Sequence, residues 1–444
     1  MGARVGHQST ARRGRRGSRE AGAARPTSSL LPRPSSHRVW ARVDAVVAAN
    51  PRTMRQGTAR APSPPATARG GVRVVTVEPG GLHADGSAAH AGKTRILLVY
   101  GEHGRELITV EAALALLADL ASPDRALAAA DAPGRAGAPA LADALRNTVF
   151  KIVPMENEGG RALVERGALC ERKNGRGVDP NRNWGVDWGK KEPDYDPSEE
   201  YGGEAPFSEP EAASLRTLAA SFVPHAWINA HSGMEALFMP YDHVAATPTG
   251  ASANATLALL SVLNAAHCGG RCAVGSGGAS VGYLAHGTAT DYMADVLGVP
   301  VAMTWEVYGD PKATFEDCVR MFNPETAADV ADVATRFADA VFHVVEALPG
   351  HPGVEKGVNA QIAMAEAAAA TAAARGEPPL LPGSRAARKL GAVAANLGAG
   401  PPAWLAVAGV VGLAAAAGLA WRGVKRPPAD AAKQQRRRVA ATED

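Results

Sequence analysis

Acidic residues are almost missing from the first 70 positions, which carry 14 arginines against only Glu20 and Asp44, a net charge of +12. Residues 422–444 lean the same way at net +4, so the stretch between is acidic at net −13, although the whole chain sums to +3. Net positive charge confined to the two ends excludes a nucleic-acid binder with a basic reading face. Cysteine is scarce as well: Cys170, Cys268, Cys272 and Cys318 form an even set that permits three pairings. They lack the paired CxxC or His–His spacing of a thiolate zinc site, so a structural zinc of that kind is excluded. The first 36 residues contain no apolar run long enough for a signal-peptide core. They are rich in Arg and Ser, as an organelle transit segment or an unstructured leader is. No internal repeat is present.

What remains is 444 residues with 46% hydrophobic and 20% charged side chains, too apolar for global disorder and ample for one large core or two domains. Helical spacing of apolar residues starts at Val39-Trp40, which sets the expected start of the folded part near residue 37. Arg95–Tyr100 is a continuous apolar run, as in a strand buried on both faces, and it leads through Gly101-Glu102-His103-Gly104-Arg105-Glu106 into a helix over Leu107–Leu120. Further strands are predicted at Phe150–Pro154, Ala226–Ala230 and Val301–Trp305, with helices at Glu209–Ser221, Ala253–His267 and Thr326–Leu348. Alternation of this kind predicts an α/β layered domain with a parallel or mixed sheet.

After Pro349 the composition turns to Ala, Gly and Pro, a stalk over 349–402. Ala403–Trp421 then offers 19 residues without a charge, edged by Trp404 and Trp421 and followed by a cationic tail over 422–444. That length just spans a hydrocarbon core of about 30 Å. Aromatic edges and trailing positive charge predict one membrane-spanning helix with a cytosolic C-terminus. Asn254-Ala255-Thr256 is a glycosylation sequon, relevant if the domain is lumenal. With the even cysteine count it leans toward an oxidising compartment.

His103 and Glu106, three residues apart where a strand runs into a helix, can converge on one divalent metal. His231 ends the Ala226–Ala230 strand and supplies a third candidate ligand at another strand's carboxyl end, where ligands of such folds bind. Asn181-Arg182 places an amide beside a guanidinium, a suitable clamp for a carboxylate. Glu306 closes the Val301–Trp305 strand, where a general base would stand.

These segments together resemble the zinc metallocarboxypeptidases of the carboxypeptidase A/B type. The resemblance rests on His103-x-x-Glu106, His231-Ser232 with Pro240-Tyr241, Val178–Trp184, Gly202–Glu211, Tyr283–Tyr292 and Thr304-Trp305-Glu306, in family order over residues 37–348. It implies one catalytic domain with a twisted, mixed, eight-stranded sheet and helices on both faces. It also implies one Zn²⁺ held by His103, Glu106 and His231, Glu306 as general base, and Arg172 steadying the oxyanion. Asn181, Arg182 and Tyr283 would hold the substrate's terminal carboxylate, and Asp179 would orient His103. The segment before Arg172 departs from the pattern, with Cys170 where an aromatic is common. Asp242 resembles an acid carried by the regulatory branch, which trims Lys and Arg. Thr290 stands where the digestive branch reads its substrate, and it is small and uncharged. The expected activity is release of a C-terminal residue, Lys or Arg, from peptides or proteins by a membrane-tethered enzyme. Its catalytic domain would be lumenal or extracellular, with a plastid membrane as the alternative. A zinc amidase or deacylase on the same fold, or a non-catalytic binding module, are the other readings.

Overall fold

The computed structural model describes residues 34–61, 70–82, 92–131, 135–314 and 317–354. Nearly all of the expected leader (1–36), the stalk beyond residue 354, the span 403–421 and the tail 422–444 lie outside the described residues. Among the described residues no helix is long and apolar enough to cross a membrane.

The strands are β1 (Met54–Ala59), β2 (Val72–Val77), β3 (Thr94–Tyr100), β4 (Thr148–Val153), β5 (Ala226–His231), β6 (Met234–Met239), β7 (Ala273–Ser276) and β8 (Val301–Tyr308). They form one eight-stranded mixed sheet in the order β1-β2-β4-β3-β5-β8-β6-β7. The centre, β4-β3-β5-β8, is parallel throughout, whereas β1 with β2, β2 with β4 and β6 with β8 are antiparallel. The helices are α1 (Ser36–Ala49), α2 (Leu107–Ala121), α3 (Asp124–Ala130), α4 (Ala138–Arg146), α5 (Glu158–Glu165), α6 (Pro197–Glu200), α7 (Pro210–Phe222), α8 (Ala251–His267), α9 (Gly277–Ser280), α10 (Ala289–Asp295), α11 (Cys318–Phe322) and α12 (Ala327–Ala347).

The parallel centre explains the uninterrupted apolar runs. Side chains alternate across a strand, so a sheet covered on both faces needs apolar residues at every position. Ile96 and Leu98 enter one core with Ile228, Met303 and Trp305 against α1, α2, α8 and α12. Leu97 and Val99 enter the other with Trp227 and Ala302 against α7 and α10. Ile96, Leu97, Leu98 and Val99 are fully buried, each worth about 1.5–3 kcal/mol relative to exposure.

Four strands escape the sequence reading. β1 buries only Met54, so its apolar signal is weak; β2 carries Arg73 among valines; β7 has four residues. The fourth, β6, is the apolar stretch after His231, which forms a strand of its own. The chain turns at Ser232-Gly233, and β6 returns antiparallel to β8, ending before Asp242. Asp242 therefore lies in the following loop, after a cis Pro240–Tyr241 peptide bond.

The cysteines pair as Cys170–Cys318, 148 residues apart, and Cys268–Cys272, four apart. Chain-entropy arguments give about 5 kcal/mol for the long loop and about 2 kcal/mol for the short one. We expect Cys170→Ser with Cys318→Ser to lower the urea midpoint more than Cys268→Ser with Cys272→Ser. Equal losses would mean that loop closure is not what the long bridge contributes.

Candidate metal centre

Parallel pairing brings the carboxyl ends of β3, β5 and β8 to one level. Tyr100 pairs with Ala230, and His231 pairs with Glu306, so the candidate ligand and the candidate base are backbone neighbours. The loop after β3 begins at Gly101, whose φ of +65° and closeness to Val110 and Met155 leave no room for a Cβ. Gly104 is equally constrained: a Cβ there would stand 2.7 Å from the Gly160 carbonyl carbon. Thr109 fastens the loop at both ends, accepting from Gly101 N (3.0 Å) and donating to Glu106 O (2.8 Å). Glu106 caps α2 without bonding the helix's free N–H groups through its side chain, which is turned to the centre instead.

His103, Glu106 and His231 are all at most 3% exposed. His103 Nδ1 and His231 Nδ1 face each other at 3.1 Å. The Glu106 carboxylate spans both, with Oε1 2.7 Å from His103 Nδ1 and Oε2 3.1 Å from His231 Nδ1. Two ligands on a tetrahedral zinc with Zn–N near 2.0–2.1 Å stand about 3.3 Å apart, so the donor set and its spacing fit one Zn²⁺. Glu102, His103 and His231 also offer ligand atoms within 4.8 Å of one another, a buried group positioned to bind one metal ion. The two carboxylates differ in which side of His231 they meet, because Glu102 Oε2 lies 3.1 Å from Nε2 rather than Nδ1.

Acidic neighbours set the charge of the centre. Burial opposes the charged form of His231, but Glu106 and Glu102 outweigh it and push its pKa well above the usual value. Burial likewise raises Glu106, and the two imidazoles overcome it to hold that carboxyl below the ordinary range. A site that draws protons onto imidazole in this way attracts a dication for the same reason. Glu306 is half-buried, with Oε2 lacking a hydrogen-bond partner among the described residues. Burial and the nearby Glu106 push its carboxyl up to about 7.

Asp179 is fully buried and accepts from three directions. Oδ1 meets His103 Nε2 (3.1 Å) and Asn181 N (2.9 Å), and Oδ2 accepts from Arg172 Nε (2.8 Å). Burial would raise its pKa, but Arg172 and His103 hold it well below the carboxylate range. Arg172 lies 4.0 Å from Glu106 Oε1, at the edge of the centre. The Asn181 carboxamide oxygen accepts from Ala289 N at 2.9 Å, and its Nδ2 comes within 3.5 Å of His231 Nε2. Arg182 is paired with Glu200 through Nη2 at 3.1 Å. Tyr283 is 42% exposed. Desolvation raises the pKa of its phenol, against the opposing fields of Arg182 and Arg172.

Asp242 is half-buried, its Oδ1 packed where a Gly277 Cβ would be. Burial and neighbouring Asp291 push its carboxyl up to about 7. Asp291 is itself buried and accepts from the backbone N–H groups of Asp242 and His243 and from the His243 ring. Thr290 lies deeper, with its hydroxyl engaged by Trp227 Nε1 (3.2 Å) and Thr304 Oγ1 (2.7 Å).

The sequence reading passed over several residues here. Asn229 precedes His231 by two positions on one strand, which puts both on the same face, so period-2 logic had the means to find it. Ser232 N, which donates to Glu106 Oε2 at 3.2 Å, carries no side-chain signal at all. Glu156 is buried with both carboxylate oxygens unpartnered among the described residues. Burial, Glu102 and Glu211 push it well above the usual value.

No curated protein sequence matches this chain. Bovine thrombin-activatable fibrinolysis inhibitor, solved in complex with tick carboxypeptidase inhibitor, is similar in structure. It has a TM-score of 0.53 and 19% identity over 70% of this chain and 96% of that one. Carboxypeptidase A from Helicoverpa armigera is similar with a TM-score of 0.55 and 18% identity, over 71% of this chain and 73% of that one. At those identities the likeness establishes the fold. Family membership rests on residues 71–331, which match the zinc carboxypeptidase family. That match takes in the paired imidazoles, Glu106 and Glu306, and the chain belongs to the zinc carboxypeptidase family.

Proposed function

We propose that this chain is a zinc-dependent exopeptidase that removes the C-terminal residue of peptides or proteins. The observation that supports it is the meeting of His103 Nδ1, His231 Nδ1 and the Glu106 carboxylate beside Glu306 on the neighbouring strand. His103, Glu106 and His231 would hold the metal, with Asp179 fixing His103 from behind. When bound, the zinc supplies Lewis acidity, lowering the pKa of water toward about 7 and polarising a carbonyl. Glu306 takes the proton of the attacking water and passes it to the leaving amine, a role suited to a carboxyl held near neutrality. Arg172, fixed through Nε by Asp179, keeps its remaining N–H groups for the developing oxyanion. Asn181, Arg182 and Tyr283 would hold the terminal carboxylate, which restricts cleavage to the last residue.

Glu306→Gln should retain zinc and lose about 10²–10⁴-fold in kcat. In the wild type, kcat/KM should fall with acidification, because protonating Glu306 removes the base. The limb should lie between the ordinary carboxylate value of about 4.3 and about 7, since a bound dication draws the pKa down. Full turnover by a zinc-replete Glu306→Gln enzyme would sink the mechanism.

The preferred substrate ends in Lys or Arg. Asp242 carries this part: a carboxyl raised by burial and by Asp291 gains most from a cationic partner. Thr290, whose hydroxyl is already bonded to Trp227 and Thr304, contributes bulk rather than charge. Matched peptides ending in Arg or Lys should show kcat/KM of order tenfold or more above those ending in Phe or Leu, and Asp242→Ala should erase the difference. A preference that survives the substitution would remove Asp242 from the pocket.

The two disulfides suit an oxidising compartment. We place the catalytic domain on the lumenal or extracellular side, tethered by Ala403–Trp421, with Asn254, exposed on α8, open to glycosylation. Protease added to sealed vesicles should remove only the tail after residue 421; enzyme recovered intact in the soluble fraction would refute the tether.

A further inference from the structure

We infer that Glu102 is a positioning residue that holds His231 in the tautomer and orientation needed at the metal, a role that rests on the zinc carboxypeptidase reading above. His103 directs Nε2 to Asp179 and Nδ1 to the centre. His231 has the same polarity: Nδ1 faces His103 and Glu106, and Nε2 faces Glu102 Oε2 at 3.1 Å. A neutral imidazole has one donor and one acceptor nitrogen, and the partner of one decides the character of the other. A carboxylate can only accept, so Glu102 places the proton on Nε2 and leaves the Nδ1 lone pair for the metal.

The competing contact makes the opposite demand. Asn181 Nδ2 comes within 3.5 Å of the same Nε2, and an amide N–H would require a lone pair there, putting the proton on Nδ1 and blocking the metal. Glu102 is the nearer partner and carries the charge, so it wins that competition. Glu102 is itself fixed: it is 1% exposed, Asn229 Nδ2 donates to the same Oε2 at 2.7 Å, and Asn157 Nδ2 donates to its backbone carbonyl at 3.0 Å. Asn229 lies two residues before His231 on β5, so one strand carries the imidazole and the amide that aims its carboxylate.

This geometry separates Glu102 from Glu106. A ring cannot turn both nitrogens to one ion, and Nδ1 is the nitrogen that converges with His103 and Glu106. Glu102 therefore acts through His231 and does not complete the ligand set.

Outer partners of metal-bound histidines commonly contribute 10–100-fold in metal affinity. The test is zinc affinity of the metal-free full-length protein by chelator competition, for wild type, Glu102→Gln, Glu102→Ala and Glu106→Gln. A parallel readout is the absorption spectrum of each after Co²⁺ loading. Glu102→Gln keeps an acceptor oxygen without the charge and should weaken zinc about tenfold. Glu102→Ala should lose about 10–100-fold, still bind one ion, and show a shifted Co²⁺ spectrum. Glu106→Gln should lose far more. Wild-type affinity in Glu102→Ala would overturn the positioning role, and so would loss of stoichiometric binding in Glu102→Ala while Glu106→Gln binds normally, which would make Glu102 the ligand. If the alanine variant fails to fold, the near-isosteric Gln variant decides by the same affinity. Wild type that takes up no zinc would take down the carboxypeptidase reading itself, an outcome distinct from a wild type that binds normally beside an indifferent Glu102→Ala.

Discussion

The register between β5 and β8 is the constraint on which the rest of the structure depends. It sets His231 opposite Glu306 and, further along, Trp227 opposite Ala302. Because side chains alternate, a slip of one residue would send one of the two site residues into the core against α2 and α12, and would bring core residues to the centre. The same pairing that buries Ile228 and Met303 on one face therefore holds His231 and Glu306 on the other. Packing and site are specified by one set of backbone hydrogen bonds.

Around that frame the centre is an excess of buried carboxylates balanced by few cations. Glu102, Glu106, Glu156 and Asp179 are each at most 4% exposed. Arg172 and the imidazoles offset Asp179 and Glu106, whereas at Glu156 burial, Glu102 and Glu211 outweigh His231 and drive the carboxyl toward its neutral form. Such a cluster is costly unless protons or a dication sit among the acids. The electrostatics and the ligand geometry thus make the same demand.

Much of this was legible in the sequence, for a reason that can be named residue by residue. The runs at Arg95–Tyr100 and Val301–Trp305 are strong signals because strands covered on both faces tolerate few polar positions. His231 and Glu306 stand out because they interrupt apolar runs where those runs end. Edge strands lack that contrast: in β1 only Met54 is buried. Cysteine pairing was not legible either, because contact across 148 residues depends on how the loops return and not on local pattern. Glu102 was hidden in plain view, one acid among several in a charged loop. Its meaning depends on which imidazole nitrogen it meets, which only coordinates supply.

The long disulfide also bears on how a preparation of this protein should be judged. Cys170 stands two residues before Arg172, and its carbonyl accepts from Arg105 at 3.0 Å. At the other end Cys318 opens α11, beyond which Asn323 bonds Ile108 N and Arg105 O, anchoring the helix start that carries Glu106. The paired imidazoles are positioned by the sheet and by Asp179. Material produced in a reducing host can therefore keep the two imidazoles in place while the arm bearing Arg172 and the anchor of the Glu106 helix start are untied. Free-thiol titration is then the measure of whether the whole machinery is assembled.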